Sequence, residues 1–314
     1  MKLSVVIPIY NEEENIQLLY DELKGVLQGI DRPYEIVFID DGSSDRSMEL
    51  LENIQQQDNH VVVVSFRRNF GQTAAMAAGF DYATGEMIVT MDGDLQNDPD
   101  DIPGLLAKMD EGYDLVSGWR YNRQDAFINR KLPSMIANKI ISKVTGVHLH
   151  DYGCTLKIFH KEITKGIQLY GEMHRFIPAI ASGMGSRIAE VKVNHRPRRF
   201  GTSKYGISRT IRVILDLLTV KFLLSYATRP IQVFGLLGII SGGLGFIIAL
   251  VLTIERQFFG MPLANRPLLL LAVLLIFMGM QFISMGLLGE LQARTYHEAQ
   301  GKPIYTVRKI LKKE

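Results

Sequence analysis

The sequence has little cysteine, and its positive and negative charges nearly cancel. Its 314 residues include one cysteine, Cys154, and carry a formal net charge of +2 at pH 7. A single cysteine excludes an intramolecular disulfide framework and is typical of a reducing compartment. Because a dedicated nucleic-acid binder usually carries a strong basic excess, we expect no nucleic-acid partner. The chain has no internal repeat, and its length is sufficient for more than one structural unit.

The N-terminus lacks the long apolar run of a secretion signal. Residues 1–8 contain only a short apolar run, which is typical of a strand. Long apolar runs occur near the C-terminus, where residues 231–254 and 267–289 contain no charged side chain. Each run exceeds the roughly 20 residues that cross a bilayer, so we predict two transmembrane helices within residues 230–290. A long hairpin buried in a soluble core is the alternative.

Positive charges are concentrated on both sides of this predicted hairpin. They are Arg209, Arg212, Lys221, Arg229, Arg294, Lys302, Arg308, Lys309, Lys312 and Lys313. The positive-inside rule therefore places the N-terminal domain, residues 1–205, and the basic tail, residues 291–314, in the cytoplasm. Residues 206–229 mix apolar and charged side chains, which favours amphipathic helices in the membrane interface over a buried soluble helix.

The N-terminal part of the chain alternates between strand and helix patterns. The predicted strands are Leu3–Ile9, Tyr34–Ile39, Val61–Phe66, Met87–Met91 and Leu115–Ser117. We expect Asn11 to cap the first helix, with three glutamates in its first turn, and Asp98 to cap another. This alternation predicts an α/β domain with a mostly parallel sheet, whose ligands bind beyond the carboxyl ends of the strands. Tyr10, Asp41 and Asp92 fall at those ends.

Two aspartates, Asp92 and Asp94, follow the fourth predicted strand. Hard divalent cations such as Mg²⁺ or Mn²⁺ take oxygen ligands and leave coordination positions open for phosphate oxygens. The motif by itself is more typical of a solvated acidic turn than of a metal site. Its position at a strand end, near other polar strand ends, favours a metal site that holds a diphosphate.

Further polar residues extend this prediction to a nucleotide-diphosphate site. Asp40 and Asp41 would accept hydrogen bonds from a nucleobase or ribose, and Arg120 and Arg130 would neutralise phosphate charge. The basic run at residues 195–205 either is solvated or holds a phosphate-bearing ligand near a membrane. The histidines lack the spacing of metal ligands, so we expect core or surface roles for them.

Six stretches of the chain carry a resemblance to a known enzyme family. They are Ile7–Glu12, Asp40–Asp45, Asp92–Gln96, Asp151–Cys154, Gly201–Tyr205 and Gly286–Glu290. Together they resemble family 2 glycosyltransferases of GT-A fold, in the branch that uses polyprenyl phosphates. The resemblance covers essentially the whole length of the chain. This branch includes enzymes that load undecaprenyl phosphate with glucose or an aminoarabinose, as well as dolichyl-phosphate mannose synthases.

The resemblance implies a role for each matching residue. Pro8, Tyr10, Glu12, Asp40 and Asp41 would form the nucleoside pocket, and Asp92 and Asp94 would bind Mg²⁺ or Mn²⁺ with Gly93 and Gln96 nearby. Arg120 and Arg130 would contact the diphosphate or the acceptor phosphate, with Asp151 as a base or an orienting group. Ser203 and Lys204 would close over the phosphates, helped by Arg198 or Arg199. Phe200 replaces an arginine that some relatives have, so the choice between these two arginines stays open.

The implied reaction is inverting transfer of a sugar from a UDP-sugar onto undecaprenyl phosphate. The expected sugar is glucose or an aminoarabinose, and the expected enzyme is a homo-oligomer at the cytoplasmic face of a bacterial plasma membrane. A GDP-mannose-dependent mannose synthase is the alternative within the branch. A processive polysaccharide synthase is disfavoured because the chain has no Gln-x-x-Arg-Trp motif. The non-catalytic alternative is a nucleotide-sugar-binding scaffold or a flippase component.

Overall fold

Eight strands form one sheet in the described part of a computed structural model of the chain. The structure describes residues 1–121, 138–139, 141–143, 145–167, 169, 171, 173–197, 199, 219–220, 277, 284, 288, 291, 295 and 305–312. The strands are β1 (Leu3–Ile9), β2 (Tyr34–Asp40), β3 (Val61–Phe66), β4 (Met87–Thr90), β5 (Leu115–Arg120), β6 (Lys157–His160), β7 (Ile188–Val193) and β8 (Val307–Leu311). Their order in the sheet is β7-β5-β6-β4-β1-β2-β3-β8.

The centre of the sheet is parallel. Strand β1 pairs in parallel with β2 and β4, and β2 pairs in parallel with β3. Strand β6 is antiparallel to both β4 and β5, while β5 and β7 run parallel to each other. The predicted α/β class with a mostly parallel sheet is therefore confirmed.

Helices cover both faces of this sheet, which explains the continuous apolar strands. They are α1 (Ile16–Gln28), α2 (Ser47–Gln57), α3 (Gln72–Tyr82), α4 (Ile102–Asp110), α5 (Lys161–Gly166) and α6 (Ile177–Gly183), with 3₁₀ turns at Pro99–Asp101 and Met173–Phe176. Every residue of β3 is buried. A strand covered on both faces needs apolar side chains in both directions, so it loses the alternating pattern of a half-exposed strand.

The first helix begins later than the sequence predicts. Asn11 does not cap it: α1 starts at Ile16, and Asn11 has a φ of 52°. The amide of Asn11 donates to Ser43 Oγ at 3.0 Å, and the amide of Glu12 donates to Ser47 Oγ at 2.9 Å. The positive φ of Asn11 does not suit a helix cap, and these amides bind side chains in the loop after β2 and at the start of α2. The prediction for Asp98 is confirmed, because its side chain accepts the Asp100 amide at 3.1 Å.

The C-terminal tail contributes a strand that the sequence does not reveal. Strand β8 pairs antiparallel with β3 at the edge of the sheet. Just before it, the ring of Tyr305 stacks on Phe66 at a centroid distance of 5.0 Å, and its hydroxyl donates to Asp81 at 2.7 Å. The last part of the predicted basic tail is thus built into the N-terminal domain.

The chain divides into two compact units, residues 1–220 with 303–314, and residues 221–302. Within the described residues, no helix combines the length and the apolar content needed to cross a bilayer. Both predicted spans, 231–254 and 267–289, lie outside the described residues except at Phe277, Ser284 and Leu288.

Candidate active site

The parallel strands bring three predicted site residues to one edge of the sheet. In the sheet register Ile9 pairs with Asp40, and Val6 pairs with Thr90. Strands β1, β2 and β4 therefore end side by side, and Tyr10, Asp41 and Asp92 follow those ends. This is the edge where parallel α/β sheets bind their ligands.

Asp40 and Asp41 are buried and hold the loops around this edge. Asp40 accepts hydrogen bonds from the Ser43 amide at 3.1 Å and from Ser65 Oγ at 2.8 Å. Asp41 accepts the amides of Phe70 and Gly71 at 2.7 and 2.9 Å. Burial raises the pKa of Asp41 to about 6, against the effect of these amides. A carboxylate offers about four lone pairs, so each oxygen retains room for a ligand.

The end of β1 and the loop after it supply the other residues of the predicted nucleoside pocket. Pro8 and Tyr10 are half-buried at the end of β1. The Glu12 carboxylate accepts Nδ2 of Asn15 at 2.6 Å, and the Glu12 carbonyl accepts the Asn15 amide at 2.9 Å. These residues lie on the same edge as Asp41, in the loop that is tied to the residues after β2.

Asp92 is held from two sides. Its Oδ1 accepts Nε2 of Gln72 at 2.7 Å, and its Oδ2 accepts Oγ1 of Thr155 at 2.7 Å. The Asn97 side chain accepts the Asp92 amide at 3.0 Å, which closes the turn. Gln72 begins α3 and Thr155 precedes β6, so the position of Asp92 depends on three separate elements.

Gly93 lets this turn lie against the end of β1. A Cβ at this position would lie 2.6 Å from Cδ1 of Ile9 and 3.2 Å from the carbonyl oxygen of Pro8. The absence of a side chain therefore allows the turn that carries Asp92 and Asp94 to pack directly on β1.

The environment of Asp92 and Asp94 suits a divalent cation. Burial, followed by the neighbouring charge of Asp94, raises the pKa of Asp92 to about 6. Asp94 is also buried, and its Oδ1 accepts the Gln96 amide at 3.1 Å. No group of three or more His, Cys, Asp or Glu side chains in the described part of the chain has metal-binding geometry. Two carboxylates fit Mg²⁺ or Mn²⁺ that takes its other ligands from phosphate and water.

Arg120 and Asp151 form a buried ion pair. Nε and Nη2 of Arg120 donate to the two oxygens of Asp151 at 2.6 and 2.9 Å. Their side chains are 16% and 3% exposed. Burial alone would lower the pKa of Arg120, but the hydrogen bonds and charge of Asp151 raise it above its ordinary value. Arg120 is therefore a permanent cation with a fixed orientation, and both Asp151 oxygens serve it.

The start of the basic run docks against the turn of Asp92 and Asp94. The Arg196 amide donates to the Gln96 carbonyl at 3.0 Å, and His195 forms an antiparallel bridge with Asn97. The Arg196 guanidinium pairs with Glu22 at 2.5 Å and Asp98 at 2.7 Å. Gln96, predicted to contact the nucleotide sugar, thus also anchors the basic run.

Of the remaining residues that were predicted to contact phosphate, the structure describes one. Arg199 is exposed, three residues after the docked Arg196. The other predicted residues of this group lie outside the described residues: Arg130, Arg198, Ser203 and Lys204. Their predicted contacts with phosphate remain predictions.

The sequence did not reveal three residues that hold the site. Gln72 and Thr155 donate hydrogen bonds to Asp92. The buried side chain of Lys157 donates to the carbonyl of Tyr152, the residue after Asp151. A polar residue inside an otherwise apolar strand pattern was the one available signal, and it applies to Lys157 alone.

Comparison with known proteins identifies the family. Residues 4–167 match the model of glycosyl transferase family 2. The chain is 45% identical to dodecaprenyl-phosphate galacturonate synthase of Rhizobium johnstonii, over 99% of this chain and 93% of that protein. The structure resembles that of glucosyl-3-phosphoglycerate synthase from Mycobacterium tuberculosis, with a TM-score of 0.55 and 17% identity over 71% of this chain and 78% of that chain.

A second solved structure, described as a mycobacterial protein, has a TM-score of 0.55 and 18% identity over 71% of this chain and 74% of that chain. At such identities the two structures bear on the fold alone, and they agree with the GT-A architecture. The family match covers more than half of the chain, and the relative aligns over nearly all of both proteins. The chain therefore belongs to glycosyl transferase family 2 and is a glycosyltransferase.

Proposed function

We propose that this enzyme transfers a sugar from a nucleotide sugar onto a polyprenyl phosphate. One observation carries the proposal: a single segment joins the two charged pairs, since Asp151 at its start binds Arg120 and Thr155 at its end donates to Asp92. The charge of Arg120 lowers the pKa of Asp92, although burial dominates the shift. The identity of 45% with a dodecaprenyl-phosphate galacturonate synthase supports the choice of a lipid phosphate as acceptor.

The donor half of the proposed site contains Asp92 and Asp94. These carboxylates would hold Mg²⁺ or Mn²⁺, which would supply positive charge to the departing nucleoside diphosphate. A protein that shares the fold, glucosyl-3-phosphoglycerate synthase, was crystallised with Mn²⁺ and UDP, which supports this assignment. Gln72 and Thr155 orient Asp92 from either side, and Asp41 and Tyr10 would contact the nucleoside.

The acceptor half contains Arg120 and Asp151. A phosphate monoester has a second pKa of about 6, so the acceptor is already largely a dianion at neutral pH. A strong general base is then unnecessary, and the main barrier is repulsion between two anions. Arg120 reduces this repulsion, and Asp151 holds its guanidinium in place. A single attack by the acceptor oxygen at the anomeric carbon breaks the bond to the diphosphate and inverts that centre.

The donor is the least determined part of the proposal. The sequence resemblance favours a UDP-sugar with glucose or an aminoarabinose, and GDP-mannose is the alternative. The name of the 45% identical relative adds galacturonate, an acidic sugar. The donor panel therefore has to contain neutral, basic and acidic sugars, and both uridine and guanosine nucleotides.

A donor panel tests the proposal. Full-length protein is incubated with Mg²⁺ or Mn²⁺ and with UDP-glucose, UDP-galacturonate, a UDP-aminoarabinose or GDP-mannose, with or without polyprenyl phosphate. We expect release of nucleoside diphosphate and a lipid-linked sugar from one donor, and only when the lipid phosphate is present. Donor binding without turnover would instead support the non-catalytic scaffold or flippase component. The free alcohol polyprenol serves as the control acceptor.

We also propose that residues 231–254 and 267–289 anchor this enzyme in the plasma membrane, with both termini in the cytoplasm. The absence of charged residues from both runs supports the spans, and the cationic residues on either side of them support this orientation. Protease treatment of sealed inverted vesicles should cleave the N-terminal domain, whereas right-side-out vesicles should protect it.

Cross-linking in the membrane tests the expected homo-oligomer.

A further inference from the structure

Lys157 is a buried lysine that the proposed reaction does not yet use. It lies at the start of β6, where it pairs with Thr90 of β4 and Ser117 of β5. The residue is 3% exposed, and its Nζ donates to the carbonyl oxygens of Tyr152 (3.5 Å) and Cys154. It forms no ion pair with a carboxylate of the described residues. A buried ammonium with carbonyl partners alone needs an explanation.

Packing does not supply that explanation. Phe159, on the same face of β6 as Lys157, is fully buried and apolar. Burial removes water from an ammonium at a cost in free energy, and an apolar side chain of similar length would avoid that cost. Burial accordingly lowers the pKa of Lys157, while the charges of Asp151 and Asp92 raise it.

The segment that Lys157 holds touches both halves of the site. Its first residue, Asp151, binds Arg120 through both oxygens, and the amide of Gly153 donates to Asp151 at 3.2 Å. Four residues after Asp151, the hydroxyl of Thr155 donates to Asp92. The backbone carbonyl of Thr155 accepts a hydrogen bond from Oγ1 of Thr90. A shift of this segment would therefore move the guanidinium on one side and the carboxylate on the other.

Resting on the proposed function, we propose that Lys157 is a positioning residue for glycosyl transfer. By binding the carbonyls of Tyr152 and Cys154, it fixes the turn that carries Asp151, and so sets Arg120 relative to Asp92. Lys157 does not touch substrate in this role: it acts through the groups that do. The effect should therefore appear in turnover and should depend on the presence of Arg120.

Kinetics of Lys157→Met in the full-length enzyme test this role. A displacement of about 1 Å in a catalytic group costs on the order of hundredfold in rate, so we expect kcat to fall about hundredfold with a KM for donor within about threefold. Lys161→Met is the matched control, because Lys161 Nζ also donates to a backbone carbonyl, that of Ala83 at 2.7 Å. Its kcat should stay within about twofold, since it contacts no site residue.

A double-mutant cycle with Arg120→Lys separates positioning from general stabilisation. If Lys157 acts largely through Arg120, then Lys157→Met should cost at least about fivefold less in the Arg120→Lys background than in wild type. Equal costs in both backgrounds, or an unchanged kcat in Lys157→Met, would overturn the inference. If Lys157→Met does not fold, the same cycle is run with Lys157→Arg, which keeps the charge and moves the donors. A wild-type enzyme that transfers no sugar would refute the proposed function, and with it this role.

Discussion

At the scale of residues, the hydrogen bonds of Asp151 bear on whether it is a base or an orienting group. A general base needs an oxygen directed at the proton that it removes. Both oxygens of Asp151 instead accept hydrogen bonds from Arg120, at 2.6 and 2.9 Å. The acceptor phosphate needs little deprotonation at neutral pH. Orientation of Arg120 is therefore the role that the geometry favours.

Asp151→Asn tests this role. The amide cannot neutralise Arg120 or accept from it through two oxygens, so we expect kcat to fall by about hundredfold. Loss of a partner from a buried pair should also lower the free energy of unfolding by about 3 kcal/mol. The pH profile of kcat should keep its shape, because no base has been removed. Loss of a rising acidic limb from this profile would show that Asp151 is a base.

Gly93→Ala tests the close packing of the turn that carries Asp92 and Asp94. The new Cβ would meet Cδ1 of Ile9 at 2.6 Å, so the turn must shift and activity should fall at least about tenfold. Gly104→Ala in α4 is the control, since nothing lies within 4 Å of its added Cβ. That change should raise the free energy of unfolding by about 0.5–1 kcal/mol and leave the rate unchanged. Equal activity in both variants would contradict this account.

At the scale of elements, Arg196 helps to fix the start of the basic run. Arg196 joins the run to Glu22 of α1 and to Asp98. The backbone of the run also pairs with the turn of Asp92 and Asp94, through Arg196 with Gln96 and through His195 with Asn97. The run therefore begins beside the turn that carries Asp92 and Asp94.

Arg196→Ala should affect substrate binding more than stability. The guanidinium is 36% exposed, so its ion pairs should contribute only about 1 kcal/mol to folding. We expect a several-fold rise in KM for the donor, because the run is no longer fixed beside the site. Arg32→Ala is the control. Arg32 forms an ion pair with Asp110 at 2.7 Å, and neither residue belongs to the site, so this variant should change stability alone. A KM unchanged in Arg196→Ala would show that the run does not cover the donor.

Strand β8 makes the end of the chain part of the catalytic domain's fold. Tyr305→Ala removes its stacking on Phe66 and should lower the free energy of unfolding by about 3 kcal/mol. Tyr305→Phe loses only the hydrogen bond to Asp81 and should cost about 1 kcal/mol. Fluorescence of Trp119, the single tryptophan, follows unfolding of the domain. Equal stability of the alanine variant and wild type would mean that β8 is dispensable.

The elements differ in how far the sequence predicts them. Strands β1 to β5 follow from continuous apolar runs, because helices bury them on both faces. Strand β8 could not be predicted: its sequence, Val-Arg-Lys-Ile-Leu, resembles a basic tail, and only the open edge of β3 makes it a strand. The predicted start of α1 was wrong. Asn11 and the glutamates after it form a typical capping pattern, yet the amides of Asn11 and Glu12 bind Ser43 and Ser47, more than thirty residues away.

The same distinction applies to the site. Tyr10, Asp41 and Asp92 are predictable because strand ends meet at one edge of a parallel sheet. Gln72, Thr155 and Lys157 gain their roles from contacts between distant elements, such as the 2.7 Å hydrogen bond from Gln72 to Asp92. No local pattern encodes such contacts, so these residues become visible only in the fold.

At the scale of the whole molecule, buried carboxylates determine how stability varies with pH. The pKa of Asp41 is raised to about 6 from 3.8, so the folded state holds this proton more tightly than the unfolded state. Its contribution is present below pH 4 and is lost as the pH rises to about 6. Glu35 has the opposite shift, to about 2, because hydrogen bonds from Lys2, Ser4 and Thr84 outweigh burial. Its contribution is lost as the pH falls from about 4.5 towards 2.

Comparison of wild type with Asp41→Asn measures the first of these contributions. The loss of stability between pH 4 and 6 should be smaller in the variant, because the titrating group is gone. Chemical denaturation at a series of pH values provides the measurement. Glu35→Gln serves as the control and should change the slope only below about pH 4.5. An identical slope between pH 4 and 6 in Asp41→Asn and wild type would contradict the assignment.

The central claim is that Asp92 and Asp94 support transfer of sugar to a polyprenyl phosphate. Mass spectrometry of the lipid extract tests it most directly, with wild type and Asp94→Asn assayed with the donor that the panel identifies. We predict a lipid-linked sugar from wild type that depends on added Mg²⁺ or Mn²⁺, and a yield reduced about hundredfold or more in Asp94→Asn, because charge stabilisation of the leaving group is lost. Equal product from both proteins, or no lipid-linked sugar from wild type with any donor, would contradict the account.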